Sequence, residues 1–310
     1  MFIVYVLMYS LPSSYVENMA REMAAKPGSQ KSAAQWLAEL NAQYGMDKGV
    51  FEGYLTWLKS AVKGDFGDSW AWTVPVTEKF QDVVWYSFAL GAVSFVLEII
   101  IAIPLGVLAA RKQYSLTDYT ITVVSLIGIS LPTFFTAIML KMIFAVQLGW
   151  FDIGGFQSRD YINMTPVGQF FDVVSHFVLP ALTLTIVSIG GLMRYTRANT
   201  LEVLNADYIR TARAKGLPES KVIGYHAFRN TLIPIVTILG GSLPGLFSGA
   251  LITEQLFSIP GIGYTSYQSM IRGDIPFTMF YLAFISILTL LGTLISDILY
   301  AVVDPRVRVH

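Results

Sequence analysis

Five stretches of this 310-residue chain are apolar for long enough to cross a bilayer: Asp82–Ala110, Tyr119–Val146, Val173–Met193, Leu232–Thr253 and Phe277–Val303. About 20 apolar residues in a helix cover the ~30 Å of hydrocarbon. Lipid offers no partner to a free backbone N–H or C=O, so such segments are restricted to helices or a closed barrel. Segments of this length predict an all-α polytopic membrane protein. Composition agrees, with 54% hydrophobic and 14% charged residues, where a soluble domain carries about 25% charged. The formal net charge is zero, which argues against nucleic acid as a partner. Cysteine is absent, which removes disulfides, thiolate nucleophiles and cysteine metal sites.

Met1–Leu11 is also apolar but as a helix reaches only ~17 Å. No Lys or Arg precedes it, unlike the charged start of a signal peptide. It reads as the outer end of a truncated first span; a short interfacial helix is the other reading. The expected organisation is a remnant of the first transmembrane helix at 1–11 and an extracytoplasmic helical segment at 12–81. A five-helix core follows at 82–303, with a cytoplasmic loop at 198–230 and a cytoplasmic tail at 304–310.

Basic residues orient the chain. Arg111 and Lys112 follow the second span, and Arg306 and Arg308 close the sequence. Arg194, Arg197, Arg210, Arg213, Lys215, Lys221 and Arg229 crowd one loop, while the short loops on the other side hold only Arg159 and Arg272. The positive-inside rule then places both termini and the basic loops in the cytoplasm. Pro104, Pro132, Pro180 and Pro234 are expected to bend their helices. Gly91, Gly106, Gly128, Gly240 and Gly241 suit either a cavity-enclosing bundle or plain packing through small residues.

The crowded loop holds a compact polar pattern, Asn205-Ala-Asp-Tyr-Ile-Arg-Thr-Ala-Arg-Ala-Lys-Gly216. Asn205 or Asp207 is expected to cap a helix, with Arg213 and Lys215 near its negative end. Gly216 is expected to end it in a left-handed turn, and Pro218 to start the next. Tyr208, Thr211, Ala212 and Lys215 would share a face. Such a slim basic helix suits a groove on a partner protein or an anionic lipid surface.

Asp207 to Leu217, followed by His226-Ala-Phe-Arg-Asn230 and Leu232-Ile-Pro234, closely resembles the cytoplasmic loop of ABC-transporter permeases. The resemblance is to the B-type subunit of the dipeptide, oligopeptide and nickel importer group. It extends to Tyr54–Leu58, Gly64-Asp-Phe-Gly67, Leu105–Ala110, Ser130-Leu-Pro-Thr-Phe134 and Leu179-Pro-Ala-Leu182. Arg194-Tyr-Thr-Arg197, Glu254-Gln-Leu-Phe-Ser-Ile-Pro-Gly-Ile-Gly263 and Asp304-Pro-Arg306 follow the same pattern. The broad family signature begins Glu-Ala-Ala; here Arg210, Thr211 and Ala212 stand there, with the later glycine kept as Gly216.

This resemblance implies a six-helix importer-type ABC permease fold with the first helix truncated, in the prokaryotic cytoplasmic membrane. It implies a permease for peptides, working with a homologous permease, two ATP-binding subunits and an extracytoplasmic binding protein. Nickel, glutathione or another small solute are the alternative cargoes. No cofactor is expected on this chain: it lacks a Gly-x4-Gly-Lys-Ser/Thr phosphate loop, so ATP and Mg are assigned to partner chains. The implied ATPase-coupling residues are Asp207, Tyr208, Arg210, Thr211, Ala212, Arg213, Ala214, Lys215 and Gly216.

Charges inside spans are functional candidates because they are costly there. Glu98 is the best pathway candidate, with helix-to-helix bonding as its alternative. Lys141 is expected to snorkel to headgroups, and Asp297 to make a structural bond. His176 and His226 are isolated and give no metal spacing. Phe257, Pro260, Gly261 and Gly263 are candidate gate residues in the loop Glu254–Pro276; a surface turn is the other reading. The segments Ala33–Ala42 and Phe51–Val62 are amphipathic, suiting a cap that contacts the binding protein or partner permease. An intramembrane enzyme lacks its residue set here, and a stand-alone ion-coupled carrier would show inverted repeats.

Overall fold

Helices account for every regular element among the described residues of the computed structural model, which are 1–10, 15–26, 31–44, 46–47 and 49–303. The tail at 304–310 therefore lies outside the described residues. In chain order they are α1 (Phe2–Tyr9), α2 (Tyr15–Ala25), α3 (Ala33–Tyr44), α4 (Val50–Val62) and α5 (Val76–Arg111). Next come α6 (Leu116–Ser130), α7 (Thr133–Leu140), α8 (Pro166–Leu204), α9 (Asp207–Ala214) and α10 (Glu219–Lys221). The last are α11 (Phe228–Ser242), α12 (Leu251–Phe257), α13 (Ile262–Ile271) and α14 (Ile275–Val303).

Among the described residues, four helices are long and apolar enough to cross a membrane: Val76–Arg111, Pro166–Leu204, Glu219–Phe247 and Ile275–Val302. A fifth candidate, Leu116–Ser130 with Thr133–Gln147, is bent by 103°. The sequence reading takes that stretch as one span with a bend expected at Pro132. The break falls at Leu131-Pro132, because proline removes a donor and drives the residue before it out of the helical region. Pro104, Pro180 and Pro234, in contrast, sit inside helices that run on without a break. The span expected at Leu232–Thr253 also shifts: the apolar helix ends at Phe247, and α12 is a separate short helix.

Contacts divide the chain into two units, Met1–Trp85 with Ile262–Ile287 and Tyr86–Gly261 with Leu288–His310. In the first, Val16 and Ala20 of α2 pack on Leu40 of α3. Val76, Val83, Ile262 and Phe277 form a second core with Phe66, Phe80 and Phe280 around it. Asp274 is fully buried and caps α14, accepting from the Phe277 amide at 3.2 Å. The same carboxylate accepts from the Ser69 hydroxyl and from the Ala71 amide at 3.1 Å. Trp72 Nε1 donates to Ser269 Oγ at 2.9 Å alongside. A chain segment far away in sequence is thus held to the start of α14 by polar groups that satisfy one another.

In the second unit α6 and α8 run in close contact. A Cβ on Gly128 would stand 2.7 Å from the Ile186 carbonyl oxygen, and one on Gly190 only 2.4 Å from that of Ser125. Their glycines serve packing rather than bending. Asp118, 3% exposed, accepts a two-pronged contact from Arg197, Nε at 2.7 Å and a terminal nitrogen at 2.8 Å. The Tyr114 amide adds a bond at 3.0 Å. Two parallel N–H···O bonds fix both distance and angle between the helices. Replacing Asp118 with Ala leaves Arg197 without its acceptor and is expected to cost about 1.5–3 kcal/mol; thermal unfolding of the detergent-solubilised chain measures it.

Candidate functional site

α8 is 39 residues long, ~58 Å at 1.5 Å per residue, and so extends well beyond the hydrocarbon at one end or both. Its C-terminal end leads into α9 at Asn205-Ala206. Neither expected cap forms: Ala206 occupies the N-cap position without a side-chain bond, while Asn205 Nδ2 donates back to Leu201 at 3.0 Å. Asp207 instead sits in the first turn, where its charge opposes the positive end of the helix.

The far end follows the expected pattern. Gly216 has φ +76°, a left-handed conformation that costs a side-chain-bearing residue roughly 1–2 kcal/mol. The Gly216 amide donates to Arg213 O at 2.9 Å and the Leu217 amide to Ala212 O at 3.4 Å. These are the two crossed bonds of a Schellman stop, with Leu217 packing in the same cluster as Ala212. Arg213 then forks onto Glu219, 2.8 and 3.2 Å, across the turn.

Ile209 is fully buried and Ala212 is 7% exposed, packed with Val222 and Ala227 and flanked by Val203 and Leu204. Ala212 therefore faces the chain's own interior, whereas its expected face-mates Tyr208, Thr211 and Lys215 point outward. Asp207, Arg210, Arg213, Ala214 and Gly216 are exposed with them. Val222 to Ala227 is a π-turn that carries α10 into α11. The result is a basic helix whose inner side is held and whose outer side is open.

Elsewhere in this unit, Glu98 is half-buried at a cavity of ≈ 350 Å³ between α5, α8 and α11. Ser188, Tyr195 and Ser242 also line it.

Phe257 is 2% exposed and packs with Leu90, Ala137 and Leu179, so its segment is no surface turn. α12 stops at Ser258, itself left-handed at φ +56°. Glu254 is fully buried and accepts from Ser87 Oγ at 2.7 Å and from the Ala250 amide at 2.9 Å. The chain folds back over it through Pro260: a Cβ on Gly261 would stand 2.3 Å from the Glu254 carboxyl carbon. Lys141 Nζ donates to Leu256 O at 2.6 Å and lies 5.6 Å from the Phe257 ring centre. That corrects its expected role: it holds the C-terminal end of α12, where a cation meets the negative dipole, and does not snorkel. Gly263 falls in the other unit, buried in α13.

His176 is buried, with Nδ1 2.8 Å from the Asp172 carbonyl and Nε2 3.2 Å from Asp152. Asp297 is exposed and, among the described residues, makes no hydrogen bond or ion pair, contrary to the structural bond expected of it. His226 belongs to the π-turn, its carbonyl accepting from Asn230 at 2.7 Å.

Residues 102–309 match the family of binding-protein-dependent transport system inner membrane components. The chain belongs to this family. It is a multi-pass membrane protein of the transport-permease kind, from a family whose members work with a binding protein. Among curated relatives, the oligopeptide transport system permease protein AppB of Bacillus subtilis is 41% identical, covering 86% of this chain and 83% of that protein. The dipeptide transport system permease protein DppB of Escherichia coli K12 is 34% identical over 98% and 92%. The oligopeptide transport system permease protein OppB of Haemophilus influenzae is 33% identical over 88% and 85%.

The family match contains α9, Glu254 and the Asp118–Arg197 contact of this permease. Sequence reasoning missed both acidic residues as anchors. Their signal was present: an acidic residue flanking or inside an apolar run calls for a partner, here Arg197 for Asp118 and Ser87 for Glu254. Gly261→Ala is expected to destabilise by about 1–3 kcal/mol through overpacking against Glu254. Much of that loss should vanish when Glu254→Ala is added, a non-additivity that a double-mutant cycle of detergent unfolding measures.

Proposed function

We propose that this chain is the peptide-translocating permease subunit of an ATP-driven importer, with both termini in the cytoplasm. In this reading it pairs with a homologous permease, binds two ATP-hydrolysing subunits through α9 and its counterpart, and receives peptide from an extracytoplasmic binding protein. ATP hydrolysis belongs to the partner chains. The peptide cargo is supported by the names of the oligopeptide and dipeptide permeases to which the chain is similar.

The observation that carries the reading is the way α9 is held. A helix that transmits force needs a firm seat on its own chain and a free face for its partner. Ile209 and Ala212 supply the seat, and Arg210, Thr211 and Lys215 lie on the exposed side. When the ATP-binding subunits close, α9 moves with them, and the long helix α8, leading directly into it, carries the motion into the membrane as a rigid-body change. Glu98, with its cavity, lines the path that opens. Phe257, Pro260 and Gly261, anchored by Glu254 and Lys141, serve the outer closure, as does Gly263 in its own unit.

Gly216→Val tests the coupling role. No atom lies within 4 Å of the position a Cβ would take, so the strain is in the backbone turn alone. The assembled transporter is expected to keep ATP hydrolysis but lose most peptide uptake in proteoliposomes. Unchanged uptake and unchanged substrate-stimulated hydrolysis in a correctly assembled variant would contradict it.

A further inference from the structure

In α4, Phe51, Leu55, Leu58 and Val62 are 65%, 37%, 37% and 81% exposed. Spacings of four, three and four residues bring them within about 60° of one another around the helix. An exposed apolar stripe of this regularity is not scattered surface hydrophobicity. The rest of the helix is sorted with equal order. Glu52, Thr56, Lys59 and Lys63 are exposed along one flank of the stripe. Along the other flank, Tyr54 and Trp57 pack toward the chain in a cluster with Tyr5 and Met8 of α1 and Ile275 and Met279 of α14.

The helix therefore has three faces: one on protein, one charged and one bare and apolar. Its surroundings say what meets the bare one. Phe2 of α1 lies edge-on to Phe51, ring centres 6.1 Å apart, and α1 exposes Phe2, Ile3 and Leu7. On the same side, a cavity of ≈ 330 Å³ is bounded by Leu58 and Val62 of α4 and by Phe280, Phe284 and Ile287 of α14. Those last residues belong to a helix apolar enough to cross a membrane. The stripe thus runs on to this apolar helix, whose Ile287 is itself 57% exposed.

We propose that α4 lies in the plane of the membrane interface, with Phe51, Leu55, Leu58 and Val62 sunk into the acyl chains. Lys59 and Lys63 reach the headgroup phosphates from its flank, their alkyl stems running along the apolar boundary. Interfacial helices are recognised by this combination of a strong apolar face and a basic polar one. The occupant is the bilayer rather than a protein. α4 then sets the depth at which the first unit rides and gives it a lipid contact that no hydrogen bond specifies.

The natural absence of cysteine permits a direct test. Spin labels are placed singly at Leu55→Cys, Leu58→Cys and Val62→Cys, and for the charged flank at Thr56→Cys and Lys63→Cys. The assembled transporter, its partner subunits freed of cysteine, is reconstituted into phospholipid nanodiscs, and collisional access of oxygen and of a water-soluble nickel chelate is read. Labels at 55, 58 and 62 are expected to favour oxygen by several-fold over those at 56 and 63. Nickel-dominated access at 55, 58 and 62 overturns the proposal, because water then meets the stripe. Immobile labels shielded from both reagents overturn it equally, because a protein partner then covers the face.

Discussion

Four apolar side chains, Ile209 and Ala212 packed against Val222 and Ala227, determine how α9 can act. The contact is modest in area but joins three elements: the end of α8, the eight residues of α9 and the π-turn that enters α11. It turns a polar loop into a ledge on the membrane helices. The Schellman bonds at Gly216 and the Arg213–Glu219 fork close the same ledge from its far end. Surface ion pairs are worth only about 0–1 kcal/mol, so the fork sets geometry while the buried apolar contact supplies the hold.

Between the long helices and their neighbours, order comes from polar groups placed in apolar surroundings. Asp118 with Arg197, Glu254 with Ser87, and Lys141 with the Leu256 carbonyl each join elements far apart in sequence. Apolar contacts in lipid give little preference for one helix partner over another, because lipid tails are as apolar as leucine. A charged group that must find its partner discriminates more strongly. In the first unit the same logic holds Ser69 and Ala71 to Asp274.

Much of this was legible in the chain. Apolar length marked each long helix, and Gly216 and Pro218 marked the end of α9 and the start of the next turn. Local signals failed where tertiary contacts decide. Ala212 has the spacing of an outward residue, but Ile209 beside it is the larger apolar group and turns that side inward. Lys141 looked like a headgroup-seeking lysine until α12 brought a carbonyl end to it. The 103° bend at Pro132 illustrates the same limit: four prolines look alike in sequence, and one of them interrupts its helix. The neighbours that separate these cases are remote in sequence.

The proposed coupling requires that the exposed side of α9 meet the ATP-hydrolysing subunit. Cysteines placed singly at Arg210, Thr211 and, as the buried control, Ile209 address it through a short bifunctional cross-linker in the assembled transporter. Capture of an ATP-binding subunit from positions 210 and 211 but not from 209 is the predicted result. Equal capture from all three, or capture from 209 alone, would contradict the seat and free face assigned to this helix.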